Sequence, residues 1–388
     1  MAVPTISISE AAALLHPRLG DAVGRRGERA LRVVAAGETG GDVVVARGVG
    51  GIATSAKSGQ LYLDFAPDGI DFAAGLIIAH SRGAAPAGDS IASAALIGLA
   101  ARVATRDVGV LIAGPTGTGK EVIARFIHTR SPRAAGPFVA VNCAAIPETM
   151  LEATLFGFER GAFTGATGSA PGLFRAAAKG TLLLDEISEL PLGLQAKILR
   201  ALQEHEVLPV GATVPVAIDA RIIATANRDL AAEVAGGRFR ADLFYRLAVF
   251  PLMTTALAAR RSDIVPITAA LWLRQGITAW PSAAALAKLA AHSWPGNVRE
   301  LGNVIARAAI FAEGTTVDVD DIVFDLPHAM AGSLVQTVRA HEQAVIETTL
   351  TACDGRRSVA AKRLGISERT LRYKLAAMHG SPGAVTSQ

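Results

Sequence analysis

The chain has 388 residues, 51% of them hydrophobic, and a formal net charge of +4. Length and apolar content predict roughly two to four domains with a large core in at least one, and the mild charge allows a local nucleic-acid patch but excludes a polycation. Two distant cysteines, Cys143 and Cys353, argue against a disulfide framework or a zinc site. With no secretory signal pattern and no apolar run long enough to span a bilayer, the sequence predicts a soluble, cytoplasmic protein without membrane contact.

Residues 1–84 are rich in glycine and predict a small N-terminal α/β domain. Its short apolar runs are Leu31–Ala36, Asp42–Ala46 and Leu61–Phe65. Asp64 lies near the end of the last run, where a receiver domain carries its phosphate-accepting aspartate. The segment is short for a receiver and its only lysine, Lys57, precedes Asp64, so a solvated strand-end aspartate is favoured over a phosphorylation site. The stretch Arg82–Asp89 is predicted to be a linker.

Strand and helix patterns alternate over residues 88–255, which predicts a parallel sheet with helices on both faces. The candidate strands are Val108–Ala113, Phe138–Asn142, Thr181–Asp185, Arg221–Thr225 and Ala248–Pro251. Ligands of such sheets bind at the carboxyl ends of the strands. Residues 256–325 are mostly helix-forming.

The first candidate strand runs into a glycine-rich turn that is followed by a helical pattern. The turn consists of Gly114, Pro115, Thr116, Gly117, Thr118, Gly119 and Lys120. Backbone N–H groups and the helix dipole at such a turn favour phosphate. The spacing G-x-x-x-x-G-K is typical of a nucleotide-binding P-loop, with Lys120 placed to reach the β and γ phosphates. Glu121 does not fit the general pattern, in which a magnesium-ligating Ser or Thr follows the lysine.

The third candidate strand ends in two consecutive carboxylates, Asp185 and Glu186. In a Walker B arrangement Asp185 would hold magnesium, directly or through water, and Glu186 would orient or deprotonate the attacking water. The alternative is a buried strand that ends in a solvated acidic turn. The upstream P-loop favours the Walker B interpretation.

A glycine-flanked apolar loop tip lies between these two motifs. It consists of Gly161, Ala162, Phe163, Thr164, Gly165 and Ala166. An exposed Phe at a loop tip is costly and normally marks a contact site. The alternative is a loop whose Phe163 folds back onto its own domain.

Residues 334–380 predict a helix-turn-helix, in which Gly365 ends one short helix and Ser367 caps the next. Between residues 354 and 379, seven Arg or Lys stand against two acidic residues. The second helix is therefore predicted to enter the DNA major groove, with a solvated basic face as the alternative. The candidate DNA-contacting residues are Arg369, Thr370, Arg372, Tyr373 and Lys374.

Taken together, these motifs resemble those of the bacterial enhancer-binding activators of sigma-54 RNA polymerase, AAA+ ATPases of the NtrC type. The resemblance covers about residues 88–378 and is carried by GPTGTGKE at 114–121, FVAVNCAAIPE at 138–148, GAFTGA at 161–166, LLLDEISELP at 182–191, RFRADLFYRL at 238–247 and WPGNVREL at 294–301. GAFTGA is close to unique to this family, and glutamate commonly follows its P-loop lysine. The C-terminal SVAAKRLGISERTLRYKL resembles a Fis-type domain. More narrowly, the chain is similar to the flagellar-gene regulators of alphaproteobacteria, which have degenerate receiver domains.

The resemblance implies an AAA+ P-loop ATPase subdomain at 88–255, a helical lid at 256–325, and a site for ATP and Mg²⁺. In this family Asn142 would hydrogen-bond the catalytic Glu186 and relay the nucleotide state. The residues implied to bind nucleotide are Gly114, Pro115, Thr116, Gly117, Thr118, Gly119, Lys120, Glu121, Asn227 and Arg299.

The same resemblance implies several partners. Arg240 and Arg246 match arginine fingers that reach a neighbouring subunit's ATP, which requires a homo-oligomer, commonly a hexamer. The 161–166 loop, chiefly Phe163 and Thr164, would contact sigma-54. The C-terminal helices would bind double-stranded upstream DNA, and the N-terminal domain would be a site for a regulatory protein.

The sequence departs from the family at three places. The expected sensor Thr is Ala226, the expected His before the loop is Phe158, and the segment Thr254–Arg261 replaces P-P-L-R-E-R. The sequence still predicts an ATP-driven activator that remodels the sigma-54 closed complex. The alternatives are an AAA+ remodeller of another client and a DNA-binding regulator whose ATPase has decayed, which the missing hydroxyl at Ala226 would explain.

Overall fold

The computed structural model of the chain describes residues 6–15, 18–23, 31–39, 41–48, 50–55 and 59–324. The predicted helix-turn-helix at 334–380 lies outside the described residues, and so do the candidate DNA-contacting side chains. These are Arg369, Thr370, Arg372, Tyr373 and Lys374.

The N-terminal residues form a small α/β domain, as the glycine-rich pattern predicts. Its elements are β1 (Ile6–Ile8), α1 (Glu10–Leu15), α2 (Leu19–Val23), β2 (Leu31–Ala35), β3 (Val43–Ala46), β4 (Gly51–Thr54), β5 (Leu61–Asp64) and α3 (Ile70–Arg82). The sheet order is β1-β2-β3-β5-β4, with parallel pairs except for the antiparallel β4 at one edge. Asp64 ends β5, but its Oδ1 atom is buried and has no hydrogen-bond partner in the described part of the chain. The interpretation of Asp64 as a fully solvated side chain is therefore wrong.

The central domain is built around the sheet order β12-β6-β11-β8-β7, and every neighbouring pair is parallel. Its elements are α4 (Ile91–Ala104), β6 (Val110–Ala113), α5 (Lys120–Thr129), β7 (Phe138–Asn142), α6 (Glu148–Phe156), α7 (Gly172–Ala176), β8 (Thr181–Asp185), α8 (Leu192–Glu204), β9 (Glu206–Val207), β10 (Val216–Ala217), β11 (Arg221–Ala226), α9 (Leu230–Ala235), α10 (Ala241–Leu247) and β12 (Phe250–Met253). The predicted strands are confirmed, but the first and the last each start two residues later than expected, and β12 also ends two residues later. For β12 the reason lies in the preceding helix, because α10 continues to Leu247 and Ala248 N–H caps it by donating to Phe244 O.

Both faces of this sheet are covered, which explains why its strands read as continuous apolar runs. In β8, Leu182, Leu183 and Leu184 are all fully buried. Leu183 packs in the core that also holds Ile112, whereas Leu182 and Leu184 belong to the core on the opposite face. Successive side chains of a strand point to opposite faces, so a run without polar residues is what a sheet between two helical layers requires.

The lid follows the central domain and is mainly helical. Its elements are α11 (Ile264–Arg274), β13 (Trp280–Pro281), α12 (Ala283–Ala291), α13 (Asn297–Phe311) and β14 (Thr316–Val317). The N-terminal domain packs against this lid, because Phe72 of α3 meets the Trp272 ring edge-on at 5.6 Å and Phe65 stacks on Trp280 at 5.6 Å. Helix α11 is therefore in direct contact with the N-terminal domain.

Candidate functional site

The glycine-rich turn after β6 fits closely against the residues that follow β12. Gly114 and Gly117 adopt φ values of 141° and 76°, which favour glycine. A Cβ atom on Gly114 would lie 2.3 Å from the backbone oxygen of Thr254, and one on Gly117 would lie 2.4 Å from that of Gly296. Glycine is thus required at both positions for conformation and for space.

Lys120 begins α5 and lies at the floor of the cleft formed by this turn. Its Nζ atom donates to the carbonyl oxygens of Gly114 at 2.8 Å and Pro115 at 3.0 Å. Burial lowers the pKa of Lys120, while the negative charges of Asp185 and Glu186 act in the opposite direction. The cleft has a volume of about 670 Å³ and is lined by Thr116, Gly117, Gly119, Lys120, Glu121, Val122, Asp185, Glu186, Val298 and Arg299. The structure therefore brings the predicted P-loop lysine and the predicted Walker B carboxylates to one cleft.

Thr225 fixes the two carboxylates at the end of β8. Its hydroxyl donates to Asp185 Oδ1 and accepts from the backbone N–H of Glu186 at 3.0 Å. Glu186 itself has left the strand, with φ 57° and ψ 49°. From the resemblance, the hydroxyl of the sensor threonine was expected at position 226, where this chain has the fully buried Ala226. The parallel register pairs Ala224 with Leu184, so the next residue, Thr225, lies beside Asp185 and supplies the hydroxyl.

Asn142 has a different partner from the one that the resemblance implies. The register of β7 on β8 places Asn142 opposite Asp185, and its Nδ2 donates to Asp185 Oδ2 at 3.4 Å. Its Oδ1 accepts from the backbone N–H of Ala144 at 2.8 Å. The predicted hydrogen bond to Glu186 is wrong for this structure, because Glu186 has turned out of the strand. Asn142 nevertheless contacts the Walker B pair.

The lid closes on the P-loop through the turn that begins α13. Asn297 Nδ2 donates to Thr116 O at 2.9 Å, and its Oδ1 accepts from the N–H of Leu257 at 2.7 Å. The N–H of Val298 donates to Gly117 O at 2.9 Å. Asn297 lies in the WPGNVREL motif and was given no role of its own from the sequence, yet it ties the P-loop to the lid.

The buried ion pair of Arg260 and Asp263 is a second connection between the P-loop and the lid, and it was not predicted from the sequence. Arg260 donates to Thr118 O at 2.9 Å and to Ser93 Oγ at 3.2 Å. Asp263 is fully buried and accepts from the N–H of Ser90 at 2.6 Å. The pair joins the P-loop, the start of α4 and the lid. Arg260 lies within the segment that departs from the family's P-P-L-R-E-R, and Asp263 lies two residues beyond it. Their charges can be seen in the sequence, but their burial cannot.

An apolar pocket adjoins the cleft and shares Gly119, Val122 and Val298 with it. Its apolar lining comes from the linker, α4, α5, α11 and the start of α13, namely Pro86, Ala87, Leu96, Ile97, Val122, Ile123, Ile267, Ala270, Leu271 and Val298. A polar cleft joined to an apolar pocket suits a ligand with a phosphate tail and an aromatic base. Helix α11 thus lines the pocket as well as contacting the N-terminal domain.

The 161–166 loop lies between α6 and α7 and is closed at its neck by backbone hydrogen bonds. Phe158 and Ala170 exchange two such bonds of 3.0 Å each. The N–H of Gly161 donates to Ala166 O at 2.9 Å. At the tip Phe163 is 46% exposed, and its ring lies 5.0 Å from that of Phe158. Both interpretations of Phe163 are partly correct, since the ring folds back on its own loop yet stays accessible.

Three family models match most of the chain between residues 87 and 378. The model of the sigma-54 interaction domain matches residues 87–253, that of the AAA+ ATPase lid domain matches 259–337, and that of the bacterial regulatory protein, Fis family, matches 337–378. The response regulator protein FleR of Pseudomonas aeruginosa is 50% identical over 324 residues, covering 74% of this chain and 68% of FleR. The chain belongs to the sigma-54 activator family.

Other relatives agree with this assignment. The transcriptional regulatory protein FlbD of Caulobacter vibrioides is 45% identical over 310 residues, covering 72% of the activator and 67% of FlbD. The crystal structure of NtrX from Brucella abortus in complex with ATP is 28% identical, with a TM-score of 0.58, and the match covers 98% of the activator and 100% of NtrX. The activator is therefore a member of the AAA+ ATPases and carries a Fis-type DNA-binding domain.

Other predicted site residues of the activator lie outside its cleft. Arg240 precedes α10 and pairs with Asp242 at 2.8 Å, while Arg246 is exposed and donates to Leu202 O at 2.8 Å. Arg246 lines a second cleft at the amino ends of β6 and β11, opposite the P-loop end of the sheet. Asn227 accepts from Ser188 Oγ at 3.1 Å and does not line the nucleotide cleft.

The two remaining charged residues of the predicted nucleotide site face the cleft of the activator. Glu121 lines it and pairs with Arg125 at 2.7 Å on the exposed side of α5. Arg299 lines it from the lid.

Among the described residues, no helix has the length and apolar character needed to cross a membrane.

Proposed function

We propose that this activator opens promoters by coupling ATP hydrolysis in its cleft to movement of the 161–166 loop against sigma-54. The observation that carries the proposal is the path between the two sites. Asn142 contacts Asp185 in the cleft and ends β7, and the chain continues through α6 (Glu148–Phe156) into the neck of the loop. A change at the carboxylates therefore reaches the loop through one strand end and one helix.

The cleft supports the following roles in hydrolysis. Residues 114–121 bind the phosphates of ATP, with Lys120 as the cation, and the apolar pocket takes the adenine. Asp185 holds Mg²⁺, which when bound neutralises phosphate charge, and Glu186 orients or deprotonates the attacking water. The residues present fit this ion, because Mg²⁺ is held by one or two carboxylates together with phosphates and water.

A ring of protomers, commonly six in this family, completes the site. Arg240 and Arg246 are exposed near α10, and neither lines the cleft of its own protomer. As arginine fingers they act on the ATP of a neighbour, and Asn227 and Arg299 respond to the nucleotide from the core and the lid. Fingers of this kind are worth roughly 10³-fold or more in rate.

Partners outside the ring are assigned to the two ends of the chain. Residues 334–380 bind upstream double-stranded DNA, and flagellar promoters are the proposed targets because the chain resembles flagellar-gene regulators. Residues 1–84 form a regulatory domain that receives a partner protein. Its packing on the lid helix α11, which also lines the nucleotide pocket, supports such a role.

Promoter opening by sigma-54 polymerase in vitro tests this function. Wild type with ATP should open the promoter, whereas Thr164→Ala should lose opening and keep ATP hydrolysis within about twofold, because Thr164 is an exposed loop residue remote from the cleft. Thr167→Ala, an exposed threonine just beyond the tip, is the matched control and should open promoters normally. Full opening by Thr164→Ala would show that the loop assignment is wrong.

A further inference from the structure

The sigma-54 loop holds its own apolar tip through one aromatic contact. The rings of Phe158 and Phe163 lie 5.0 Å apart and are inclined at 59°. Phe158 belongs to the neck, where its backbone is fixed on both sides by Ala170. Phe163 belongs to the tip and is still 46% exposed. The contact therefore joins the fixed and the exposed parts of one loop.

The neck that carries Phe158 is anchored to a second loop. The N–H of Glu159 donates to Val210 O at 2.9 Å, and the N–H of Val210 donates to Gly157 O at 2.9 Å. Gly211 approaches the loop so closely that a Cβ atom there would lie 2.9 Å from Ala162. Phe158 is thus held in place independently of the tip.

Beyond the contact of Ala162 with Gly211, the tip has no comparable support. A Cβ atom added to Gly161 or Gly165 would meet no atom within 4 Å, and Thr164 is exposed. The hydrogen bonds that shape the tip are short-range, such as the one from Ala166 N–H to Phe163 O at 3.0 Å. Phe158 is also a place where this chain departs from the family's histidine, so a fully apolar ring faces Phe163.

We infer that Phe158 is a positioning residue that competes with sigma-54 for the Phe163 ring. In the resting loop Phe163 lies against Phe158, and it leaves this contact when it binds sigma-54. This inference rests on the proposed function of the loop. An aromatic pair of this kind shifts an equilibrium by about twofold to tenfold, and the apparent affinity for a partner falls by the fraction of loops that are not free to bind.

Binding of labelled sigma-54 to the full-length activator tests the inference, without nucleotide and with ADP and aluminium fluoride. Phe158→Ala should tighten nucleotide-free binding by about twofold to tenfold, because it frees the tip. Phe158→His should lie between wild type and Phe158→Ala. ATP hydrolysis of both variants should stay within about twofold of wild type, since Phe158 does not line the cleft. Unchanged or weaker nucleotide-free binding by Phe158→Ala would overturn the inference.

Two controls separate failure of this inference from failure of the proposed function. Phe311→Ala removes another half-exposed Phe, on the lid helix α13, and should leave sigma-54 binding unchanged. Phe163→Ala should abolish binding in both states. If wild type itself does not bind sigma-54 with ADP and aluminium fluoride, the proposed function fails, and the position of the tip is then decided by fluorescence.

The fluorescence measurement uses Phe163→Trp and acrylamide quenching. The chain has three tryptophans, Trp272, Trp280 and Trp294, and all of them are buried, so the quenchable emission comes from position 163. Adding Phe158→Ala should raise the quenching constant by about twofold, because the indole loses its partner in the neck. Equal quenching with and without Phe158 would show that the tip does not rest on this ring.

Discussion

The P-loop and the sigma-54 loop are both rich in glycine, but they are held in opposite ways. In the P-loop, Gly114 and Gly117 lie against backbone atoms of the segments that follow β12 and precede α13, and Thr118 O accepts from Arg260. In the sigma-54 loop, Gly161 and Gly165 border open space. One loop is enclosed by three segments of the chain, and the other is supported at its neck and by one ring.

This difference fits the roles that we propose for the two loops. A phosphate site gains from preorganised N–H groups, because catalysis depends on positioning to a fraction of an ångström. A loop that delivers force to a partner must change its position, and few buried contacts permit such movement. Substitutions in the P-loop surroundings should therefore affect stability and turnover, whereas those at the tip should affect only the partner.

The largest effect is expected for Glu186→Gln, which removes the candidate general base and keeps the shape of the cleft. Loss of general base catalysis lowers turnover by roughly 10²- to 10⁴-fold, while ATP binding should remain. Steady-state hydrolysis and nucleotide affinity measure the two quantities. Glu189→Gln, in the short helix that follows and paired with Arg228, is the control and should turn over normally. Turnover that does not respond to Glu186→Gln would favour the decayed ATPase.

The next largest effect is expected for Arg260→Ala. Arg260 is 8% exposed and Asp263 is fully buried, so the substitution leaves an unpaired carboxylate inside the protein. Breaking such a pair costs about 3–5 kcal/mol in the free energy of unfolding. Arg261→Ala changes the neighbouring exposed arginine and should cost no more than about 0.5 kcal/mol. Denaturant unfolding measures the free energy of unfolding of both variants. A loss for Arg260→Ala no larger than that for Arg261→Ala would mean that the buried ion pair does not contribute to stability.

Sequence patterns predicted the central sheet because its strands are apolar on both faces and each ends at a recognisable motif. Lys120, Asp185 and Glu186 were predicted from spacing alone, and the structure brings them to one cleft. In the N-terminal domain the apolar runs predicted three of the five described strands, and β1 and β4 were missed. The burial of Asp64 Oδ1 was missed as well, since a strand-end carboxylate gives no sign that one of its oxygens is buried.

The predictions failed where a role depends on pairing between distant segments. Which residue of β11 places its side chain beside Asp185 depends on the register of β11 on β8, and that residue is Thr225, not Ala226. Arg260 was noted only as part of a segment that departs from the family, because nothing local indicates that Ser93 and Thr118 lie beside it. The contact of Phe158 with Phe163 was also not predicted, although the substitution of Phe158 for histidine had been noted.

A smaller effect is expected for Thr225→Ala. The hydroxyl of Thr225 contacts Asp185 and the backbone of Glu186, and a hydrogen bond to a charged group contributes about 1.5–3 kcal/mol. Turnover should fall by roughly tenfold to a hundredfold. Thr225→Ser keeps the hydroxyl and should retain most of the turnover. Equal losses in the two variants would assign the effect to packing of the β11 side chain instead of to its hydrogen bonds.

The smallest effect is expected at the tip, and a matched pair of glycine substitutions isolates it. Gly117→Ala and Gly165→Ala both place a side chain at positive φ, 76° and 99°, which costs about 1–2 kcal/mol where the backbone cannot relax. At Gly117 the new methyl also meets Gly296 O, so the lid is displaced and ATP affinity should fall at least about tenfold. At Gly165 the surroundings are open, so ATP affinity should stay within about twofold and the free energy of unfolding within about 0.5 kcal/mol. Titration with ATP and denaturant unfolding of both variants measure the contrast, and equal losses of ATP affinity would mean that the tip is as firmly held as the P-loop.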